Sequence, residues 1–403
     1  MKRIKLIMAG PYPPPDNGMS LAFKMLFDGL GRSGEFDPHL VNLASKDSTR
    51  RDEGFTFGRL AEVAGILFSF IRAVVRVRPA LVYITISQSK LGFLKDALMI
   101  NLARLAGAAV VVHLHGGNFK GLYLRLSPLS RSMVKRTLAR CRFFIVLSRD
   151  LAGNFDFVPR WEAGIRIVPN SLPTAVSSHG LEAKVISRPF NLLFLSPMML
   201  EKGYLDVLEA IAILKQRGYS WVQAYFAGNF LLAHDHYVDP AEMQAEFQSK
   251  IAAWGLSDQA RYVGFVSGRD KMALFENNHL FILPTYHVNE GQPLSIIEAM
   301  AMGLPVITTN YRGITALIKD GENGFFVPPR SPAAIADQVV QLLNHPDRYT
   351  QISRRNIQAA ASDFSSATHI LRIKEIFLEC LQPGPSEAEI SNENTRQKPI
   401  RRE

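Results

Sequence analysis

Two carboxylates, Glu290 and Glu298, stand eight residues apart at the ends of a Gly/Pro turn, Glu290-Gly-Gln-Pro-Leu-Ser-Ile-Ile-Glu298. A carboxylate can accept hydrogen bonds from two neighbouring hydroxyls, as the acidic residue of dinucleotide-binding folds does with ribose. Between the two acids, Gly291, Gln292, Pro293 and Leu294 allow close backbone approach and lead into a helix, whose N-terminal amides attract phosphate. That dipole contributes about 0.3–1 kcal/mol, so a diphosphate would also need a cation. A second constellation is Val110-Val-Val-His113-Leu-His115-Gly116-Gly117. On a strand His113 and His115 share the face opposite Leu114, and His115 stands at the carboxyl end, beside a glycine pair that opens room for a ligand. Asn17-Gly18 is a weaker turn signal after Pro11-Tyr-Pro-Pro-Pro15. Other readings stay open. Ser295-Ile-Ile-Glu298 also fits a capping box, although Pro293 at the helix start puts Ser295 inside the first turn. His113 also suits a satisfied structural imidazole. No metal site is expected, since His113-Leu-His115 lacks an evident third ligand and His234-Asp-His236 falls in a polar loop.

The elements around these residues are those of an α/β protein. His279-Leu-Phe-Ile-Leu-Pro284 reads as a buried strand, Ser295–Met302 as a helix stopped by Gly303, and Pro305–Thr309 as the next strand. In such βαβ units ligands bind outside the carboxyl ends of the strands, where both acids fall. Further strands are expected at Ile4–Met8, Leu81–Ser87, Ala109–His115, Phe143–Leu147, Ile165–Val168, Phe190–Leu195, Val222–Ala227 and Ala260–Phe265, alternating with helical runs. The alternation predicts two Rossmann-like, doubly wound parallel-sheet domains facing a cleft. The expected division is a first Rossmann-like domain at 1–175, a linker at 176–188, a second Rossmann-like domain at 189–365, a C-terminal helix at 366–382 packing back toward the first domain, and a disordered tail at 383–403.

The Glu-x7-Glu pattern inside Leu283-Pro-Thr-Tyr286…Glu290-Gly-Gln-Pro-Leu-Ser-Ile-Ile-Glu298-Ala-Met-Ala-Met-Gly-Leu-Pro-Val-Ile-Thr-Thr309 resembles the donor-site signature of GT-B glycosyltransferases of the family-4 type, the glycosyltransferases group 1. The resemblance extends over about 1–381, with its specific motifs in 194–328. It implies a retaining, metal-independent transfer from a nucleotide-diphosphate sugar (UDP-, GDP- or similar) to a glycan or polyprenol-linked acceptor, with no cofactor besides the donor. It assigns Glu298 to the ribose, Glu290 to the transferred sugar and His115 to the reaction centre. Lys202, in Phe194-Leu-Ser-Pro-Met-Met-Leu-Glu-Lys202-Gly203, is assigned to the diphosphate as a point charge. Gly291, Gln292, Pro293 and Leu294 would line the donor, with Asn17 and Gly18 near the diphosphate from the other domain. Ser196 and Pro197 stand where many members have Gly and Arg, so either another residue supplies the missing cation, with Arg312 a candidate, or the donor is held more weakly. The family's glycine pair is reduced here to Asn17-Gly18.

Bulk properties narrow the partners. The 403 residues are 47% hydrophobic, enough for two cores, and carry a net charge of +10. Residues 1–180 hold 25 Lys/Arg against 12 Asp/Glu, and the remainder 21 against 24, so +13 and −3. The run 120–142 carries seven cations and no acid. Near an anionic membrane each cation contributes about 1 kcal/mol, which suits a lipid-linked acceptor, whereas a solvated basic face is the plainer alternative. No nucleic-acid signature accompanies the run. Neither Cys141 nor Cys380 has metal or redox spacing, and no stretch approaches the roughly 20 apolar residues of a membrane span. A cytoplasmic protein, peripheral on the inner face of the cytoplasmic membrane, is expected, acting in bacterial-type surface polysaccharide or glycolipid synthesis. A binding scaffold without catalysis, or a glycosidase using both glutamates, are the competing functions. A nicotinamide enzyme is disfavoured by the absence of Gly-x-Gly-x-x-Gly after the first strand.

Overall fold

The computed structural model describes residues 3–14, 18–44, 57–172, 182–231 and 239–382. The first half is β1 (Ile4–Gly10), α1 (Gly18–Arg32), β2 (Phe36–Asn42), α2 (Phe57–Val77), β3 (Leu81–Thr85), α3 (Lys90–Leu105), β4 (Ala109–Leu114), α4 (Phe119–Leu124), α5 (Pro128–Leu138), β5 (Phe143–Val146), α6 (Trp161–Gly164) and β6 (Ile165–Ile167). Its strands form one parallel sheet in the order β2-β1-β3-β4-β5-β6. The second half is β7 (Phe190–Leu195), α7 (Tyr204–Gln216), β8 (Val222–Ala227), α8 (Pro240–Ala253), β9 (Ala260–Gly264), α9 (Gly268–Asn277), β10 (Leu280–Leu283), α10 (Leu294–Ala301), β11 (Val306–Thr308), β12 (Gly324–Phe326), α11 (Pro332–Asn344) and α12 (Pro346–Asp363). These strands form a second parallel sheet, β12-β11-β10-β7-β8-β9. The last helix, α13 (Ser366–Leu381), returns to the first half.

Strands covered by helices on both faces read as unbroken apolar runs. The central strands do so: Val110, Val111 and Val112 of β4, and all of β10, are fully buried. The first sheet separates two cores. One lies under α2, α3 and α5. The other is closed by α1 together with Ile373, Ile376, Phe377 and Cys380 of α13, so the C-terminal helix completes the core of the N-terminal domain, as expected. Arg166 ties the same helix down through Glu379. Local signals start the helices: Ser127 caps α5 ahead of Pro128, and Ser365 caps α13.

Two strands escaped sequence reading. β2 contains Asp37, Pro38 and His39, which spoil any apolar pattern. Among the described residues it is an edge strand paired with β1, where a proline's missing N–H does little harm. β12 has only three residues. Much of the expected linker, the tail from 383, Asn17, and the loop holding His234 and His236 lie outside the described residues.

In open α/β sheets the crevice forms where strand order reverses direction. In the second sheet that point is between β7 and β10, which are hydrogen-bonded neighbours. The loop after β7 carries Lys202 and the loop after β10 carries Glu290.

Candidate active site

Lys202 ends a tight turn, Leu200–Lys202, and is followed by Gly203 at φ +80°. A Cβ on Gly203 would lie 2.8 Å from the Pro284 carbonyl oxygen, so only glycine lets this turn approach the end of β10. The approach brings Lys202 Nζ to 2.6 Å from Glu290 Oε2. The Thr285 hydroxyl donates to the same oxygen at 2.8 Å. Lys202 is 9% exposed and Glu290 6%, so both charges are largely removed from water and each offsets the other's desolvation.

Glu298 lies on α10 and is 2% exposed. Lys271 of α9 donates to its Oε1 at 2.5 Å, while Oε2 is buried with no hydrogen-bond partner among the described residues. Burial outweighs the lysine and raises the Glu298 pKa above the ordinary carboxylate value. The capping box does not form: Pro293 occupies the cap position of α10, and no side chain caps the helix. The first amides of α10 are therefore not taken by a cap.

Across the cleft, the His113 and His115 rings stack with centroids 4.0 Å apart, which puts both on one side of β4. His113 is fully buried and its Nδ1 lies 2.6 Å from the Tyr83 hydroxyl, a structural role. The His115 pKa falls to about 4, first through burial, then through the nearby His369 of α13, against a hydrogen bond with Asn170. At neutral pH His115 is an uncharged imidazole.

The two halves interlock at glycines. A Cβ on Gly291 would lie 2.0 Å from the His115 carbonyl oxygen, and one on Gly117 would lie 1.9 Å from that of Glu290. Gly117 N–H donates to the Asn289 carbonyl at 3.1 Å. Gly18, the first residue of α1, faces Leu294 across the same cleft, with 2.7 Å between its notional Cβ and Leu294 Cδ1. The loop that carries Glu290 thus lies directly on the loop after His115.

Residues 183–359 match the family described as glycosyl transferases group 1. Over this part, somewhat less than half of its length, the chain is similar to the group 1 glycosyl transferases. Curated relatives agree with it. Alpha-D-kanosaminyltransferase of Streptomyces kanamyceticus is 28% identical over 173 residues, 43% of this chain and 41% of that protein. The amylovoran biosynthesis glycosyltransferase AmsK of Erwinia amylovora is 28% identical over 161 residues, 39% of this chain and 37% of that protein. The matches therefore span about two fifths of these relatives' length. The whole architecture has solved counterparts. The crystal structure of Anabaena HepE in complex with UDP superposes with a TM-score of 0.67 at 16% identity, covering 93% of this chain and all of that one. The fold is GT-B.

Within the matched region, Gln292 and Arg312, both expected at the donor, make contacts between the two halves of the chain. Gln292 donates from Nε2 to the Leu147 carbonyl at 2.9 Å, and accepts from the Asn170 backbone N–H at 3.0 Å and the Asn170 side chain at 2.9 Å. Arg312, at φ +48°, donates to the Gly117 carbonyl. In this conformation Arg312 bridges the domains instead of standing free as the substitute phosphate cation. Lys271, Thr285 and Asn170 contact Glu298, Glu290 and Gln292, and no motif in the sequence points to them. Thr285 was within reach, being the first residue after the strand that leads to Glu290. Lys271 and Asn170 meet their partners 27 and 122 residues away, and no local pattern marks them. Among the described residues no group of three or more His, Cys, Asp or Glu is placed to hold a metal ion. No helix among them is long and apolar enough to cross a membrane.

Proposed function

We propose that the chain transfers a sugar from a nucleoside diphosphate sugar to a glycan or polyprenol-linked acceptor, with retention of anomeric configuration, in the synthesis of a bacterial surface polysaccharide or glycolipid. The observation that carries this reading is the Lys202–Glu290 pair at the strand-order reversal, on a loop packed against the loop that follows His115. The ribose diol donates to the unpartnered Oε2 of Glu298. The diphosphate meets Lys202 and the uncapped amides of α10, which stabilise the charge that develops as the leaving group departs. Glu290 accepts from the hydroxyls of the transferred sugar, and its bonds to Lys202 and Thr285 fix its rotamer. Neutral His115 offers a hydrogen bond from the opposite wall. The acceptor attacks from the face that the diphosphate leaves, and no side chain forms a covalent intermediate. UDP bound to the similarly folded HepE supports a uridine nucleotide as the first donor to test. The name of AmsK supports polysaccharide synthesis.

The test is turnover of a panel of nucleotide sugars, followed by proton NMR of the product's anomeric centre. The expected result is hydrolysis or transfer with one donor, the α-anomer of the donor giving an α-linked product. Glu290→Ala abolishes the turnover and EDTA leaves the rate unchanged. An inverted product would end the retaining assignment. Bound nucleotide without turnover of any donor would leave a nucleotide-sugar-binding scaffold.

A further inference from the structure

The helices α2, α3 and α5 lie side by side over one face of the first sheet. Their inner faces make a complete core, yet their outer faces are apolar too. On α2, Leu60, Phe68, Ile71 and Val75 are exposed, Phe68 by 68% and Val75 by 67%. At 100° per residue they fall within an arc of about 80°. On α3, Leu94, Leu98 and Leu105 are exposed along an arc of about 40°. Leu129 of α5 is 83% exposed. These are stripes on adjacent helices, where a solvated surface would carry polar side chains.

The charge around the stripes is predominantly positive. Residues 57–142 hold 14 Lys/Arg against two acids. One acid, Asp96, is fully buried beside Lys95 at 3.2 Å, which leaves Glu62. The run 120–142, expected to be a free basic face, is partly engaged within the protein: Lys120 pairs with Asp156, Arg131 donates to the Leu124 carbonyl and Arg140 to Asn101. Arg72 and Arg76 are exposed immediately beside the α2 stripe. They also line a groove of about 450 Å³ between α2 and β2, together with Lys5, Asp37 and His39, the last two 3.2 Å apart.

We infer that this helical layer docks the protein on an anionic lipid bilayer. The apolar stripes enter the boundary between headgroups and acyl chains, and the flanking cations take lipid phosphates, with Lys5, Arg72 and Arg76 seating one headgroup in the groove. Charge complementarity selects this occupant. A second copy presenting the same face would bring two strongly cationic layers together, whereas a surface of phosphates neutralises them. None of these residues belongs to the donor site, so docking and nucleotide binding are measured separately.

The experiment is co-sedimentation with phosphatidylcholine vesicles, with and without phosphatidylglycerol, of the wild type, Phe68→Ser/Leu98→Ser and Arg72→Glu/Arg76→Glu. The wild type is expected to bind only vesicles with phosphatidylglycerol, and less as salt rises. Each double variant should bind roughly tenfold less tightly or worse, and the arginine variant should also show a shallower salt dependence. The three proteins should give the same nucleotide-induced thermal shift, which shows the variants folded even if docking fails. A wild type that stays in the supernatant would overturn the inference, as would a serine variant that binds like the wild type. A concentration-dependent dimer abolished by Phe68→Ser/Leu98→Ser, without vesicle binding, would give the face to a second copy instead.

Discussion

Lys202 and Glu290 depend on each other for their place in the interior. A buried pair broken on one side leaves an uncompensated charge, which costs about 3–5 kcal/mol. Lys202→Met is therefore expected to lower the melting temperature and, since Lys202 is the leaving group's cation in the proposed mechanism, to cut turnover by roughly 100-fold or more. Lys202→Met/Glu290→Gln should recover most of the stability and none of the turnover. Recovery of turnover in the double variant would show that the lysine serves the carboxylate and not the diphosphate. The glutamates and this lysine were legible in the sequence because a short motif carries each one. Lys271 was not, because its meaning lies wholly in a 2.5 Å contact with an acid on another helix.

At the scale of elements, the cleft is set by glycines at which two loops touch. Gly117→Ala would drive a Cβ into the Glu290 carbonyl, 1.9 Å away, and a backbone atom cannot step aside as a side-chain tip can. The expected result is a wider separation of the domains, seen as a larger radius of gyration in X-ray scattering. Transfer should fall roughly 100-fold, as misplacement of reacting groups by about 1 Å can cause. Nucleotide affinity should stay within roughly threefold, since Lys271–Glu298 and Lys202–Glu290 lie inside the second domain. Gly153→Ala, where a Cβ meets nothing within 4 Å, is the control and should leave rate and scattering unchanged. Unaltered scattering in Gly117→Ala would contradict the interlock. That Gly291 and Gly117 lie on loops at strand ends is legible in the sequence. Nothing in it signals that these two loops meet, nor that Gln292 and Arg312 span the interface, because a cleft's closure is a tertiary fact. The buried strands were readable from apolar runs alone, while β2 was hidden by its edge position and its proline.

For the molecule as a whole, α13 couples the chain's end to the cleft. His369 sits beside the stacked pair His113–His115, with its Nδ1 2.9 Å from the Pro169 carbonyl. Burial depresses its pKa to about 4. A histidine with a folded pKa below its unfolded 6.5 binds fewer protons when folded. Its contribution is then complete above about pH 6.5 and is lost as pH falls toward 4. The buried Glu298 and the half-buried Asp206, the latter raised to about 6, act in the opposite sense, so the histidine is read by difference. The stability advantage of the wild type over His369→Gln should shrink by on the order of 3 kcal/mol between pH 6.5 and 4. A gap independent of pH would mean that the ring is solvated in the folded protein. The two-domain α/β architecture was legible from alternation and the last helix from its periodicity, whereas its return to the first domain followed only from the family resemblance. The convergence of three histidines from β4, its following loop and α13 was not.

The central claim is that the second domain holds a nucleoside diphosphate, with Glu298 on its ribose. Its most direct test is a thermal-shift panel with UDP, GDP, ADP and dTDP on the wild type and Glu298→Ala, followed by calorimetric titration of the best ligand. A carboxylate's hydrogen bonds to a ligand contribute about 1.5–3 kcal/mol, so the variant should bind one nucleotide roughly 10- to 100-fold more weakly than the wild type. Equal affinity in the two proteins, or no shift with any nucleotide at saturating concentration, would contradict the account.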